Sequence, residues 1–265
     1  MTSIGSDMKK TVVITGAAGD IGHAISRIFL KHAFTVIATD INEKALNSRA
    51  NLCSSHRNYH PVIMDITNPK SVSEVFARIH KKWGAIAILV NNAGGISAHN
   101  LKSTTEQSWS NDIELNLNGA WRCMNAVMDR MINSSSGSII NIASVNGLGI
   151  FGHPGYSVAK AGLIHLTKFA AVELGKHNIK CNAICPGTVK TQAWIERQNA
   201  HPQIIEDAMQ WYPTGKASTP EDIAGLVEYI AMQSPDTLNG AALEIDGGLS
   251  AGHNIVASAF CGEAI

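Results

Sequence analysis

A phenol and an ammonium stand four residues apart in this sequence, Tyr156 and Lys160 within the run GYSVAK at 155–160. On a helix, residues i and i+4 share one face, so the two groups would sit side by side. A free phenol titrates near ~10, and bringing it to neutrality takes about three units, or roughly 4 kcal/mol. One positive charge at ~4 Å in an effective dielectric of about 20 supplies that much. The spacing therefore predicts a tyrosine that exchanges a proton near neutral pH. By itself the same spacing also describes a solvated helix face, where such a pair contributes only a few tenths of a kcal/mol. Its weight comes from Ser144, twelve residues upstream of the tyrosine, and from a glycine-rich loop near the N-terminus.

That loop, TGAAGDIG at 15–22, follows a β-branched run at 11–14 and precedes apolar residues at helical spacing. Between a first strand and a first helix, glycines let backbone N–H groups approach a phosphate, and the helix N-terminus adds about half a positive charge. Gly16, Gly19, Asp20 and Ile21 become candidate dinucleotide contacts. Asp40 closes the next strand, near the offset at which an acid takes the adenosine ribose hydroxyls. A carboxylate there accepts hydrogen bonds from a free 2′-hydroxyl and repels a 2′-phosphate. Ala17 and Ala18 offer no basic residue to neutralise that phosphate, so NAD is expected over NADP. Asp40 could also cap the helix beginning near Asn42, and the two roles are compatible. Further along, Asp65 and Ile66 follow the third strand, where the acid either meets the adenine or shapes a turn. Asn92, Ala93 and Gly94 follow the fourth, and their small size lets the chain pass close to a cofactor.

These groups need a scaffold, and the sequence supplies one. Strands are expected over 11–14, 34–39, 59–64, 87–90, 138–142, 179–184 and 241–245. Helices are expected over 21–32, 42–53, 68–82, 106–132, 156–176 and 220–233. Alternation of this kind predicts a single α/β domain: a doubly wound, Rossmann-like parallel sheet of about seven strands with helices on both faces. The segment 189–216 breaks the rhythm with Trp194, Trp211 and Tyr212. It follows a strand's carboxyl end, where ligands bind in open α/β sheets, and is a candidate substrate lid.

The chain has 265 residues, of which 45% are hydrophobic, enough for one large domain with a sizeable core. Lys+Arg and Asp+Glu are both 21, and the net charge of zero favours neither nucleic acid nor an anionic membrane as partner. Five scattered cysteines lack zinc spacing, so reduced thiols and no metal are expected. With no signal peptide and no long apolar run, a cytoplasmic address is expected.

The residues together resemble the single-domain short-chain dehydrogenases/reductases over nearly the whole chain. The likeness rests on Thr15-Gly16 with Gly22, the NNAG run at 91–94, Asn116 in LNLNG at 115–119, Ser144, and Tyr156 with Lys160. Pro186-Gly187 with Thr191, PEDIA at 220–224 and DGG at 246–248 complete it. The resemblance implies that Tyr156 is the acid/base and that Ser144 polarises the substrate oxygen. It implies that Lys160 lowers the tyrosine pKa and binds the nicotinamide ribose, and that Asn116 holds a water in a proton relay to Lys160. Pro186, Gly187, Val189 and Thr191 would meet the nicotinamide half of the cofactor. A homotetramer is implied as well. Asp20 departs from the pattern, because the family usually has glycine there; its carboxylate would either repel the pyrophosphate or turn away and cap the helix.

The expected activity is interconversion of a small polar alcohol and its ketone, with a sugar, polyol or hydroxy acid favoured. Ser144, Asn146, His153, Tyr156 and Trp194 are the candidate substrate contacts, with Gln192 adding polarity and Arg197 and His201 considered for an anionic group. The alternatives are an NADPH-dependent carbonyl or 3-oxoacyl reductase and a dinucleotide-binding regulator without turnover. Residues 250–265 form an extension that could pack on a neighbouring subunit.

Overall fold

The computed structural model describes residues 10–53, 56–200 and 203–264. Seven parallel strands form one sheet: β1 (Thr11–Thr15), β2 (Thr35–Asp40), β3 (Tyr59–Ile63), β4 (Ile86–Asn91), β5 (Gly137–Ile142), β6 (Ile179–Pro186) and β7 (Ala242–Ile245). Their spatial order is β3-β2-β1-β4-β5-β6-β7. The chain builds outward from β1 in one direction, then returns to β1's other side with β4. That reversal opens a crevice at the carboxyl ends of β1 and β4, where Thr15 and Asn91 stand.

Side-chain alternation explains why both faces are covered. Val12 and Ile14 of β1 enter one core with Val36, Val90 and Ile184, beneath α1 (Asp20–Lys31) and α2 (Glu43–Leu52). Val13, between them, points to the opposite core with Ile37, Leu89 and Ile139, beneath α3 (Pro69–Trp83). A sheet buried on both sides reads as the unbroken apolar runs seen at 11–14 and 86–90. The helix starts are encoded locally. Asn68 caps α3 by accepting from Lys70 N–H at 3.0 Å, with Pro69 at the first helical position.

The expected helix over 106–132 is not continuous. It divides into α4 (Glu106–Ile113), a π-helical turn (Glu114–Asn118) and α5 (Gly119–Ser134). A π turn inserts one residue without changing the helix direction, so the apolar periodicity gives no sign of it. α6 (Pro154–Leu174) carries Tyr156 and Lys160. Segment 189–216 holds two short helices, α7 (Gln192–Ala200) and α8 (Ile204–Met209). The expected helix over 220–233 is α9 (Pro220–Glu228) followed by a second π turn (Tyr229–Gln233). The C-terminal extension forms α10 (Asn254–Cys261), which buries no residue and exposes Ile255, Val256 and Phe260. Among the described residues no helix is long and apolar enough to cross a membrane.

Candidate functional site

Two cavities of about 610 and 600 Å³ adjoin at the carboxyl ends of the strands and share Ile21, Asn92, Gly94, Thr191 and Ala193. Gly16, Gly19, Asp20, Asp40, Asp65, Ile66 and Ala93 line the first. Ser144, Asn146, His153, Tyr156, Lys160, Pro186, Gly187, Val189 and Trp194 line the second. The candidate catalytic, cofactor and substrate contacts therefore meet one cleft, except Asn116, which is buried behind it, and Gln192, which lines neither cavity. Of the basic residues considered for an anionic group, the Arg197 side chain and all of His201 lie outside the described residues.

The first cavity is built from main chain. Thr15 Oγ1 accepts from the N–H groups of Asn92 and Ala93, each at 3.0 Å, and so ties the end of β1 to the turn after β4. Asn92 Nδ2 returns bonds to the carbonyls of Thr15 and Gly16, both at 3.0 Å. Gly16 has φ +64°, and a Cβ there would lie 2.7 Å from Ala93 Cα. A Cβ on Gly22 would lie 2.4 Å from the Gly16 carbonyl oxygen. Both positions need glycine so that helix and turn can close on each other. Asp40 accepts from Ala18 N–H at 3.1 Å and Asn42 N–H at 2.9 Å. It is not the cap of α2, because Asn42 performs that task by accepting from Ala45 N–H at 3.0 Å. Asp65 shapes its turn by accepting from the N–H and hydroxyl of Thr67, at 2.8 and 2.7 Å, while still facing the cavity.

In the second cavity, Lys160 is only 3% exposed. Its Nζ donates to the Ile142 carbonyl at 2.7 Å and lies 5.5 Å from the centre of the Tyr156 ring. Burial pulls the lysine pKa down to about 8. The tyrosine moves the other way. Burial raises the Tyr156 pKa; a hydrogen bond with Ser144 opposes that rise and the charge of Asp112 adds to it. In the dinucleotide-free cleft, burial acts on the phenol in the direction opposite to the one expected from Lys160. An i, i+4 spacing delivers proximity, but here the dry surroundings disfavour both charged forms and the ammonium is engaged by a carbonyl. The resting tyrosine is a protonated phenol, a group suited to donating a proton.

Ser144 caps the short turn at Val145–Gly147, its Oγ accepting from Asn146 N–H at 3.1 Å. Asn146 holds the loop that follows, donating to the Gly152 carbonyl at 3.0 Å and to Ser157 Oγ at 3.2 Å. His153 adopts φ +57° and its Nδ1 donates to the Ala98 carbonyl at 2.9 Å. A carbonyl can only accept, so Nδ1 carries a proton and Nε2 is left for another partner. Asn116 lies in the π turn. Its Nδ2 donates to the Gly95 and Asp112 carbonyls at 2.8 and 2.9 Å, and its Oδ1 accepts from Gly95 N–H at 3.1 Å. Both ends of the amide thus engage main chain, and they fix the turn at 92–95 to α4. A Cβ on Gly94 would lie 2.8 Å from Asn116 Oδ1 and 3.4 Å from Lys160 Nζ, so this glycine keeps the space between cleft and lysine open.

One buried position escaped the sequence. Asp112 is buried, accepts from Ser97 N–H at 2.9 Å and has an unpartnered Oδ2. Tyr212, expected in the lid, does line the second cavity, and it fixes Thr188, its hydroxyl donating to Thr188 Oγ1 at 2.7 Å. Two candidates fall away. Trp211 packs edge-on against the His253 ring at 5.8 Å, outside either cavity, and the Gln192 side chain donates to Glu196 at 3.4 Å. Among the described residues there is no cluster of three groups that could hold a metal ion.

Comparison with known proteins follows the same outline. Residues 16–250 match a family model described as enoyl-(acyl carrier protein) reductase. The chain is 34% identical over 244 residues to 3-oxoacyl-(acyl-carrier-protein) reductase FabG of Thermotoga maritima, covering 91% of this chain and 97% of the relative. Its fold is similar to an oxidoreductase of the short chain dehydrogenase/reductase family from Burkholderia thailandensis, with TM-score 0.90, 35% identity and coverage of 97% and 99%. ElxO with NADP bound is also similar, with TM-score 0.88, 32% identity and coverage of 92% and 100%.

The lysine makes a stability prediction. In the folded, dinucleotide-free protein its pKa is about 8, whereas the unfolded chain keeps the ordinary lysine value of 10.5. Between those values the unfolded state binds more protons, so folding stability rises with pH through that window. Below it, burying the charge costs stability. Lys160→Met is expected to be more stable than wild type by roughly 1–2 kcal/mol at pH 7. Urea unfolding across pH 7–10 should show that advantage shrinking as pH rises.

Proposed function

Because the chain belongs to the short-chain dehydrogenase/reductase family, oxidoreductases acting on CH–OH and C=O groups, we propose that it interconverts a small polar secondary alcohol and its ketone with NAD as partner. The observation that carries this reading is the meeting of Ser144, Tyr156 and Lys160 in a cavity continuous with the one bearing Asp40. The first cavity fits a dinucleotide: glycines 16, 19 and 94 leave its floor free of side chains, and α1 opens at its edge. When bound, the nicotinamide supplies the hydride chemistry. The protein's tasks are to orient the two reactants and to move one proton.

Asp40 would receive the adenosine ribose, Asp65 and Ile66 the adenine side, and Pro186, Gly187, Val189 and Thr191 the nicotinamide side. Lys160 would meet the nicotinamide ribose, and an acceptor or anion placed beside it would favour its charged form. Ser144 donates to the substrate oxygen, and Tyr156 gives that oxygen its proton during reduction or takes it during oxidation. His153 Nε2 and Asn146 offer polar contacts to further hydroxyls, and Trp194 an apolar face. A second reading, an NADPH-dependent 3-oxoacyl reductase, draws on the likeness to FabG and on the protonated resting phenol. The Asp40 carboxylate argues against its 2′-phosphate. The family further suggests a homotetramer, supported by the exposed Trp121 of α5 and the exposed Phe169 and Val172 of α6.

Two outcomes test the reading, both followed at 340 nm with a panel of alcohols and ketones. Tyr156→Phe should lower kcat/KM by about 10²–10⁴-fold while dinucleotide binding persists. An equally active variant would refute Tyr156 as the acid/base. Asp40→Ala should raise the ratio of kcat/KM with NADP to that with NAD by at least about tenfold, a difference of roughly 1.4 kcal/mol. A wild type that already prefers NADP would remove the argument from Asp40.

A further inference from the structure

Asp20 puts a negative charge into the loop where the family pattern has glycine, and that charge has two partners from distant elements. One carboxylate oxygen is ion-paired with Arg49 of α2. The other accepts the N–H of Gln192, the first residue of α7, at 2.6 Å. Arg49 is itself held in place, its Nε donating to the Ala18 carbonyl at 3.1 Å. The expected alternatives for Asp20 were repulsion of a pyrophosphate or capping of α1. The guanidinium offsets the first, and the carboxylate's bonds run away from α1 toward α2 and α7. Asp20 also lines the first cavity, while Thr191 and Ala193, on either side of Gln192, line both. The link between Asp20 and Gln192 therefore bridges the cleft where the two cavities join.

We propose that Asp20 is a positioning residue: its carboxylate, oriented by Arg49, docks the N-terminus of α7 across the dinucleotide cleft and slows the release of a bound dinucleotide. This rests on the reading that the cleft binds a nicotinamide dinucleotide. The first N–H groups of a helix have no partners within it, and a carboxylate aimed at them is favoured by both hydrogen bonding and the helix dipole. Such a charge-assisted bond is stronger than a neutral one, yet a single bond can break without disturbing the sheet. The segment that closes the cleft would thus be fastened at one point, from the cofactor side.

Two variants remove the bond from opposite ends. Asp20→Ala deletes the acceptor. Gln192→Pro deletes the donor at a first helical position, where proline is tolerated. NADH release, measured by stopped-flow loss of nicotinamide fluorescence on displacement with excess NAD, should quicken about tenfold in both. In the dinucleotide-free protein, amide hydrogen exchange should accelerate across 192–200 in both, while β1 and α6 exchange as in wild type. Wild-type release and exchange in either variant would overturn the proposal, as would acceleration confined to Asp20→Ala. A wild-type protein that binds no NADH would overturn the functional reading and this one with it. Wild-type NADH binding alongside unchanged variants would overturn only the role given to Asp20.

Discussion

Burial of one amine beside one phenol constrains the rest of this structure. Lys160 is removed from water and satisfied by the Ile142 carbonyl at the end of β5. That bond fixes where α6 crosses the sheet. It brings Tyr156, one turn earlier, to the same cleft as Ser144, two residues beyond Ile142. Desolvation then acts on both groups at once, raising the phenol and lowering the amine. Each is pushed toward its neutral form by the loss of water around it.

The surrounding fold keeps this arrangement open on one side and rigid on the other. Reversal of strand order at β1 and β4 creates the crevice, and Thr15 locks its two banks together through Asn92 and Ala93. The π turn swings Asn116 onto Gly95, which holds the turn beside Gly94 where a side chain would intrude on Lys160. Local backbone irregularity of this kind is found where a fold gives up regular pairing to place a functional group.

Much of this was legible in the sequence because it is periodic. The runs at 11–14 and 87–90 read as strands, and the glycine loop between β1 and α1 reads as a dinucleotide loop from its place between strand and helix. The site residues other than Asn116 were found at the cleft because their motifs are local in sequence. What escaped depends on tertiary placement. Spacing shows that Tyr156 and Lys160 are neighbours but not that the surroundings are dry, so it gives no sign of the burial that opposes the lysine's effect on the phenol. The partners of Asp20 lie 29 and 172 residues away, and no local pattern announces them. Segment 189–216 has no alternation to constrain it, so the sequence gives no sign that Trp211 and Gln192 lie outside both cavities.

The most direct test is a spectroscopic titration of Tyr156 in dinucleotide-free protein, taken as the difference in phenolate absorbance between wild type and Tyr156→Phe. The account predicts ionisation above the ordinary phenol range, because burial dominates. Ionisation below that range would mean that the lysine charge governs the resting site, contradicting the balance on which this description depends.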